Sequence, residues 1–231
     1  MPTHDTDLLT RIPLSARTIL HVGLGESGVA AAYRPLNPTV RLLGLSYGAP
    51  IGAEAARDFD QVAMADPAAD TLPFDLPDGI DCIIYEQVLE HLGDPWTLVQ
   101  RHAELLAPAG VVLIHGRNGA HWRLAESILR GLPLPPGGPG LDIAAMRTHL
   151  EDAGLLPLQP LVQEPAREEA DRFVAAMAPS LIALGINPDH YRQRCLGSHI
   201  ICQACKAPAQ PLFISATMLD PVGGVSDVRV V

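Results

Sequence analysis

Residues 19–28 read Ile-Leu-His-Val-Gly-Leu-Gly-Glu-Ser-Gly, with glycines at Gly23, Gly25 and Gly28 in the spacing G-x-G-x-x-G. An apolar run of this kind is a buried strand. The first glycine allows a sharp turn out of it, the second lets backbone approach a ligand, and the third lets the next helix pack close. The chemistry on offer is a cradle of main-chain amides. A plain strand-turn-helix connection would also use glycine, so the residues downstream decide. Three cysteines and a histidine offer a second possibility: Cys195, His199, Cys202 and Cys205 include a Cys-x-x-Cys spacing known from zinc sites. Residues 199–204, however, read as a strand, and side chains three apart on a strand face opposite ways. Buried thiols are the expected outcome, with no metal.

The elements that must position these groups follow from the apolar pattern. Residues 18–22, 40–45, 61–65, 81–85, 111–115, 155–162 and 199–204 read as strands. Residues 51–59 have helical character. Asp94-Pro95 starts a helix, since Asp caps free amides and Pro suits the first turn. Leu98, His102, Leu105 and Leu106 form its inner face, and Pro108-Ala109-Gly110 stops it. Residues 143–153 form a helix ending at Gly154. A further helix over 166–184 has Phe173, Val174, Met177, Leu181 and Leu184 inward, and Pro179 should kink it. Strands alternating with helices predict an α/β fold with a parallel sheet covered on both faces.

Composition bounds the function. The chain has 231 residues, 48% hydrophobic, and a formal net charge of −10. That is enough for a substantial core. No basic cluster appears, so nucleic acid is an unexpected partner. No run is long enough to span a bilayer, and the polar, acidic start lacks a signal-peptide centre. Cytoplasm is the default location. Four cysteines in a chain of this size do not suggest a disulfide framework. Residues 1–16 are expected to form an arm, 17–207 one domain, and 208–231 a Pro/Gly-rich tail.

Beside the glycine turn stand Asp66 with Leu72-Pro73-Phe74, then Asp81-Cys-Ile-Ile-Tyr-Glu-Gln-Val-Leu-Glu-His-Leu-Gly-Asp-Pro-Trp96, then Leu105-Leu-Ala-Pro-Ala-Gly-Val111. In this order the segments resemble class I S-adenosylmethionine-dependent methyltransferases, over roughly residues 17–158. Asn118-Gly-Ala-His-Trp122 is similar to a subgroup found beside glycosyltransferases in surface-polysaccharide pathways. The resemblance implies a Rossmann-like seven-stranded sheet with an antiparallel last strand. It implies S-adenosylmethionine at the carboxyl edge, contacted by His21, Gly23, Gly25, Gly28, Ser46, Asp66, Tyr85 and Glu86. Methyl transfer would go to a hydroxyl of a saccharide or small molecule, with His121 as base. The tail, residues 211–229, resembles the first strand and glycine loop of a GT-B glycosyltransferase, which would make such a domain a partner.

Two positions depart from the family pattern. Where an acid usually ends the first strand there is His21, and where an acid usually holds both ribose hydroxyls there is Ser46. Residues 131–140, Gly-Leu-Pro-Leu-Pro-Pro-Gly-Gly-Pro-Gly, shorten the segment that carries acceptor contacts in the subgroup. These departures favour an alternative, a degenerate binding or scaffolding module beside a glycosyltransferase. A nicotinamide-dependent oxidoreductase shares the glycine turn but not the Leu-Glu-His-Leu block. For Glu90-His91 within that block, shaping a helix start is the expected role, ahead of acid/base chemistry.

Overall fold

The computed structural model describes residues 5–24, 28–48, 52, 56–66, 69, 71–134, 138–163 and 168–207. The strands are β1 Thr18–Val22, β2 Arg41–Tyr47, β3 Gln61–Ala65, β4 Ile80–Glu86, β5 Leu106–Arg117, β6 Leu155–Pro157, β7 Leu161–Gln163 and β8 His199–Lys206. The helices are α1 Thr6–Leu9, α2 Val29–Tyr33, α3 Pro95–Glu104, α4 Trp122–Leu129, α5 Ile143–Asp152, α6 Glu168–Ala183 and α7 Pro188–Cys195. A 3-10 turn, Leu89–His91, follows β4.

The strands form one sheet in the order β3-β2-β1-β4-β5-β8-β6, with β7 also on β8. β1 to β5 pair in parallel, and β8 runs antiparallel to β5, β6 and β7. This is the Rossmann-like α/β sheet expected, with its last strand reversed. The eighth strand arises because the sixth splits around Pro157 and Pro160, which have no amide hydrogen for a ladder. Alternate residues of β4 separate two cores. Ile83 and Tyr85 join α3 and α5 on one face, whereas Cys82 and Ile84 join α1 and α2 on the other. These runs are apolar on both sides because helices cover both faces.

Local signals set several boundaries. Asp94 Oδ1 accepts from the Thr97 amide at 3.2 Å and opens α3. Asp142 does the same for α5 through the Ala145 amide at 2.8 Å. Gly154, at φ +72°, ends α5 in left-handed backbone, where an L side chain would be strained.

Three expectations need correction. Pro108-Ala109-Gly110 lies inside β5, not before it. The chain there makes a bulge: pairing shifts between Ile80↔Leu106 and Cys82↔Val111, and Ala109 sits at φ +61°. Leu105, read as inward, is 37% exposed, and Leu106 already belongs to β5. Leu184 falls beyond α6 and is 74% exposed. The helix continues through Pro179. Of the helical reading of residues 51–59, residues 51 and 53–55 lie outside the described residues and residues 57–59 form a turn rather than a helix; the tail from residue 208 also lies outside them. Cys202 packs in the first core and Cys205 against the second, as the strand geometry requires.

Candidate functional site

Because β1 to β5 are parallel, their carboxyl ends form one edge, and His199 at the start of β8 stands opposite Arg117 on that edge. Gly23, just past β1, donates its amide to the Leu45 carbonyl at 3.0 Å and has φ +80°. A Cβ there would strike the Glu86 carbonyl oxygen and approach Val88 Cβ to 2.8 Å. Gly23 is therefore fixed both by its backbone angle and by close packing on the end of β4. Gly28 caps α2 in left-handed conformation, φ +63°. Gly25 lies outside the described residues.

Strand alternation puts His21, Ser46, Glu86 and His115 on the α1-α2 face of this edge. His21 Nε2 and Glu86 Oε2 are 2.8 Å apart, with side chains only 5% and 2% exposed. The His21 ring also meets Phe59 edge-on, at 5.7 Å between centroids. The structure thus couples the histidine at the usual acid position to a carboxylate from β4. Removing one member leaves the other buried without this hydrogen bond, at a cost of about 1–3 kcal/mol. Ser46 is buried beside Leu45, to which Gly23 is bonded. His115 stands opposite Glu86 in the ladder. Its Nε2 lies 3.5 Å from Asp5, which also accepts from Gln163 Nε2 at 3.0 Å. The arm before β1 is thereby strapped across the edge.

On the opposite face, Tyr47, Asp66, Thr71, Leu72, Arg101 and His102 line a cleft of about 170 Å³. His102 links two phenols beneath it. Its Nδ1 is 2.8 Å from Tyr85 Oη, and its Nε2 is 3.3 Å from Tyr47 Oη. The Tyr85 and His102 rings stack, 10° from parallel. Burial, reinforced by the Arg101 charge, pushes the His102 pKa down from 6.5 to about 4. Burial pushes the Tyr47 hydroxyl up to about 12 and Tyr85 well above its usual value. All three are therefore neutral near pH 7, and the ring nitrogens of His102 divide donor and acceptor roles between the phenols. Tyr85 is fully buried, so its side chain belongs to the core, while Asp66 is exposed at the end of β3.

His121 lies at a second cleft, of about 340 Å³, at the end of β5. Arg117, Arg123, Ser127, Ser198 and His199 share it. Ser198 Oγ is 2.9 Å from His199 Nδ1, and the His199 ring is 5.5 Å from that of His115. Glu90 is turned inward: its side chain is 1% exposed, and Oε1 accepts from the Arg117 amide at 3.2 Å. Its role is to tie the turn after β4 to β5, while His91 is exposed.

The sequence reading located Gly23, Gly28, His21, Ser46, Asp66, Glu86 and His121, which the structure brings to one edge. It missed Tyr47 and Arg101, and took His102 only as a core position. A histidine on a buried helical face needs partners, and that requirement was the available signal. It also missed Arg117 and Arg123, and weighed His199 only for zinc. Among the described residues, no group of three or more His, Cys, Asp or Glu is placed to hold a metal.

No family model matches the chain. Curated sequences from Mycobacterium tuberculosis and Mycobacterium bovis, each described as an uncharacterized methyltransferase, are 26% identical over 136 residues. That alignment covers 56% of this chain and 68% of theirs. A Mesorhizobium loti S-adenosylmethionine-dependent methyltransferase superposes with TM-score 0.55 at 13% identity, covering 87% of this chain and 96% of its own. A methyltransferase candidate from Haloferax volcanii, solved with the Trm112 methyltransferase activator, gives TM-score 0.57 at 19% identity and 88% coverage of both chains. The fold is that of the class I S-adenosylmethionine-dependent methyltransferases.

Proposed function

We propose that the chain binds S-adenosylmethionine along this edge and transfers its methyl group to a hydroxyl of a saccharide or small molecule held in the cleft at His121. The fold and the methyltransferase relatives support the reaction class. The observation that carries the reading is the arrangement of two clefts on one carboxyl edge, with the buried His21–Glu86 pair at the strand ends of β1 and β4. Open α/β sheets bind ligands at this edge, where strand order reverses.

The residues present fit the cofactor. The Tyr47 ring and Asp66 carboxylate offer a flat surface and an acceptor for an adenine amine. Ser46 offers one hydroxyl where a carboxylate would hold two ribose hydroxyls. Glu86, oriented by His21, offers a carboxyl acceptor to the cationic methionine end. When bound, the sulfonium supplies an electrophilic methyl group, so positioning and exclusion of water are what remain for the protein. A neutral His121 ring nitrogen takes the acceptor proton as the new bond forms.

In this reading residues 17–207 form the catalytic domain, acting in the cytoplasm. The resemblance of residues 211–229 to the start of a glycosyltransferase makes such a domain the partner in this proposal, with the acceptor drawn from polysaccharide biosynthesis. The substitution of Ser46 for an acid favours a second reading, a scaffold that binds weakly and does not turn over.

Calorimetry with S-adenosylhomocysteine and NAD, beside transfer of labelled methyl groups to nucleotide sugars and glycans, separates these. S-adenosylhomocysteine should bind and NAD should not. His121→Ala should lower turnover by about 100-fold or more, the scale of general-base catalysis, with binding unchanged. Binding without turnover would leave a degenerate binding module, and no binding would defeat the methyl-transfer reading and leave the scaffold.

A further inference from the structure

We infer that the cleft at the end of β5 takes an acceptor bearing an anionic group, a carboxylate or a phosphate. The inference rests on the methyl-transfer reading for the acceptor's role, but the recognition is built from this cleft's own side chains. The chain carries a net charge of −10, yet this cleft is lined by two arginines, two histidines and two serines. Its other described lining residues, Asn118, Leu124, Pro133 and Pro139, bring no carboxylate.

The two arginines are set differently. Arg117 Nε lies 3.7 Å from Glu90, whose carboxylate is 1% exposed while the Arg117 side chain is 26% exposed. Glu90 therefore pairs with the guanidinium through Nε while part of the Arg117 side chain stays exposed. Arg123 lies over the Trp122 ring at 5.1 Å and pairs with Glu169 at 3.0 Å. Both members of that pair are more than half exposed. Such a pair is weak and readily exchanged for a ligand anion. A guanidinium presents several donors in a planar fork that matches a carboxylate or phosphate.

A neutral sugar is a poorer match. Its hydroxyls are read largely by carboxylates and amides that accept hydrogen bonds. Asn118 is the amide in the lining, and its nitrogen already donates to the Arg194 and Gly197 carbonyls, both at 2.7 Å, while its oxygen accepts from the Ala120 amide at 3.0 Å. At about 340 Å³ the cleft suits a compact acceptor.

The test is calorimetric titration of the full chain at low salt, with and without saturating S-adenosylhomocysteine, using citrate, inorganic phosphate and methyl glucoside. At least one anion should bind, more weakly as salt is raised, and methyl glucoside should not. Arg123→Gln, an exposed change that leaves the fold intact, should weaken the anion by about tenfold. Arg117→Lys keeps the charge opposite Glu90 but loses the fork, and should weaken it several-fold. Preference for citrate assigns a carboxylate, and preference for phosphate assigns a phosphate ester. Absence of anion binding, anion binding indifferent to Arg123→Gln, or equal binding of methyl glucoside would overturn the inference. If S-adenosylhomocysteine binds while the anions do not, this inference alone fails. If the anions bind and S-adenosylhomocysteine does not, the methyl-transfer reading fails instead.

Discussion

His102 sits where α3 meets the first core, with a phenol on each ring nitrogen. Such a residue contributes to stability mainly while neutral, because protonation would place a buried cation between two neutral phenols and beside the Arg101 charge. Its pKa is depressed to about 4 by burial first and by Arg101 second, against 6.5 for a free ring. The unfolded chain therefore takes up a proton on His102 below about pH 6.5, and the folded chain does so only near pH 4. Between those values the unfolded state binds more protons, so stability falls as pH falls and is fully present above 6.5. A shift of this size corresponds to on the order of 3 kcal/mol. Urea unfolding at pH 7.5, 5.5 and 4.5 should show this loss. His102→Gln should be less stable at pH 7.5 but lose less on acidification. An equal pH slope in both proteins would assign the effect to other groups. Loosening of Tyr47 in the same variant should weaken any ligand that stacks on it, without changing the cleft at His121.

The entry of β5 shows how an element can differ from its sequence pattern. Pro-Ala-Gly reads as a stop, yet here it is a bulge that starts the strand early, with Ala109 in left-handed backbone at φ +61°. The left-handed conformation costs a non-glycine residue about 1–2 kcal/mol, and glycine at the same place gives back roughly 0.4–1 kcal/mol through the freer unfolded chain. Ala109→Gly should therefore stabilise the protein by roughly 0.5–1 kcal/mol, seen as a higher urea midpoint at unchanged slope. Gly110→Ala should act oppositely, since a Cβ there would lie 2.9 Å from the Ala107 carbonyl oxygen and 3.0 Å from that of Ile80. No gain from Ala109→Gly would mean that the bulge is not strained. The other strands were legible because burial on both faces leaves continuous apolar runs, as in Leu42-Leu43-Gly44-Leu45 and Cys82-Ile83-Ile84-Tyr85. α3 and α5 were legible through Asp94 and Gly154, whose side chain or backbone does a local job. α7 was not, because its polar sequence, Pro-Asp-His-Tyr-Arg-Gln-Arg-Cys, has no apolar stripe and is helical under an Asn187 cap. The site divides in the same way. The glycine turn is local and could be read directly. The His21–Glu86 pair spans 65 residues and Arg117 meets His199 only through antiparallel pairing, so both depend on strand order, which periodicity does not encode.

At the scale of the whole molecule, the edge of the sheet joins the strapped arm, the buried His21–Glu86 pair and both clefts, so a ligand held there should stabilise the chain as a unit. A ligand that binds only the folded state adds about 2.7 kcal/mol at a concentration 100 times its Kd. In a chain of 231 residues each kcal/mol is worth about 2–4 °C, so S-adenosylhomocysteine should raise Tm by about 5–10 °C. Ser46→Asp sharpens the measurement because two effects oppose each other. Without ligand, a carboxylate at this buried position loses its hydration, and Tm should fall by the equivalent of about 1–3 kcal/mol. With ligand, that carboxylate gains both ribose hydroxyls, and the cost of burying it is returned as binding. The variant should therefore start lower and rise further than the parent at the same ligand concentration, with a tighter Kd by calorimetry. Arg123→Gln, at the other cleft, should leave the S-adenosylhomocysteine shift unchanged. If Ser46→Asp lowers Tm but the ligand-induced rise is the same or smaller, Ser46 does not face the ribose, and the nucleoside is held from the Tyr47–Asp66 side alone.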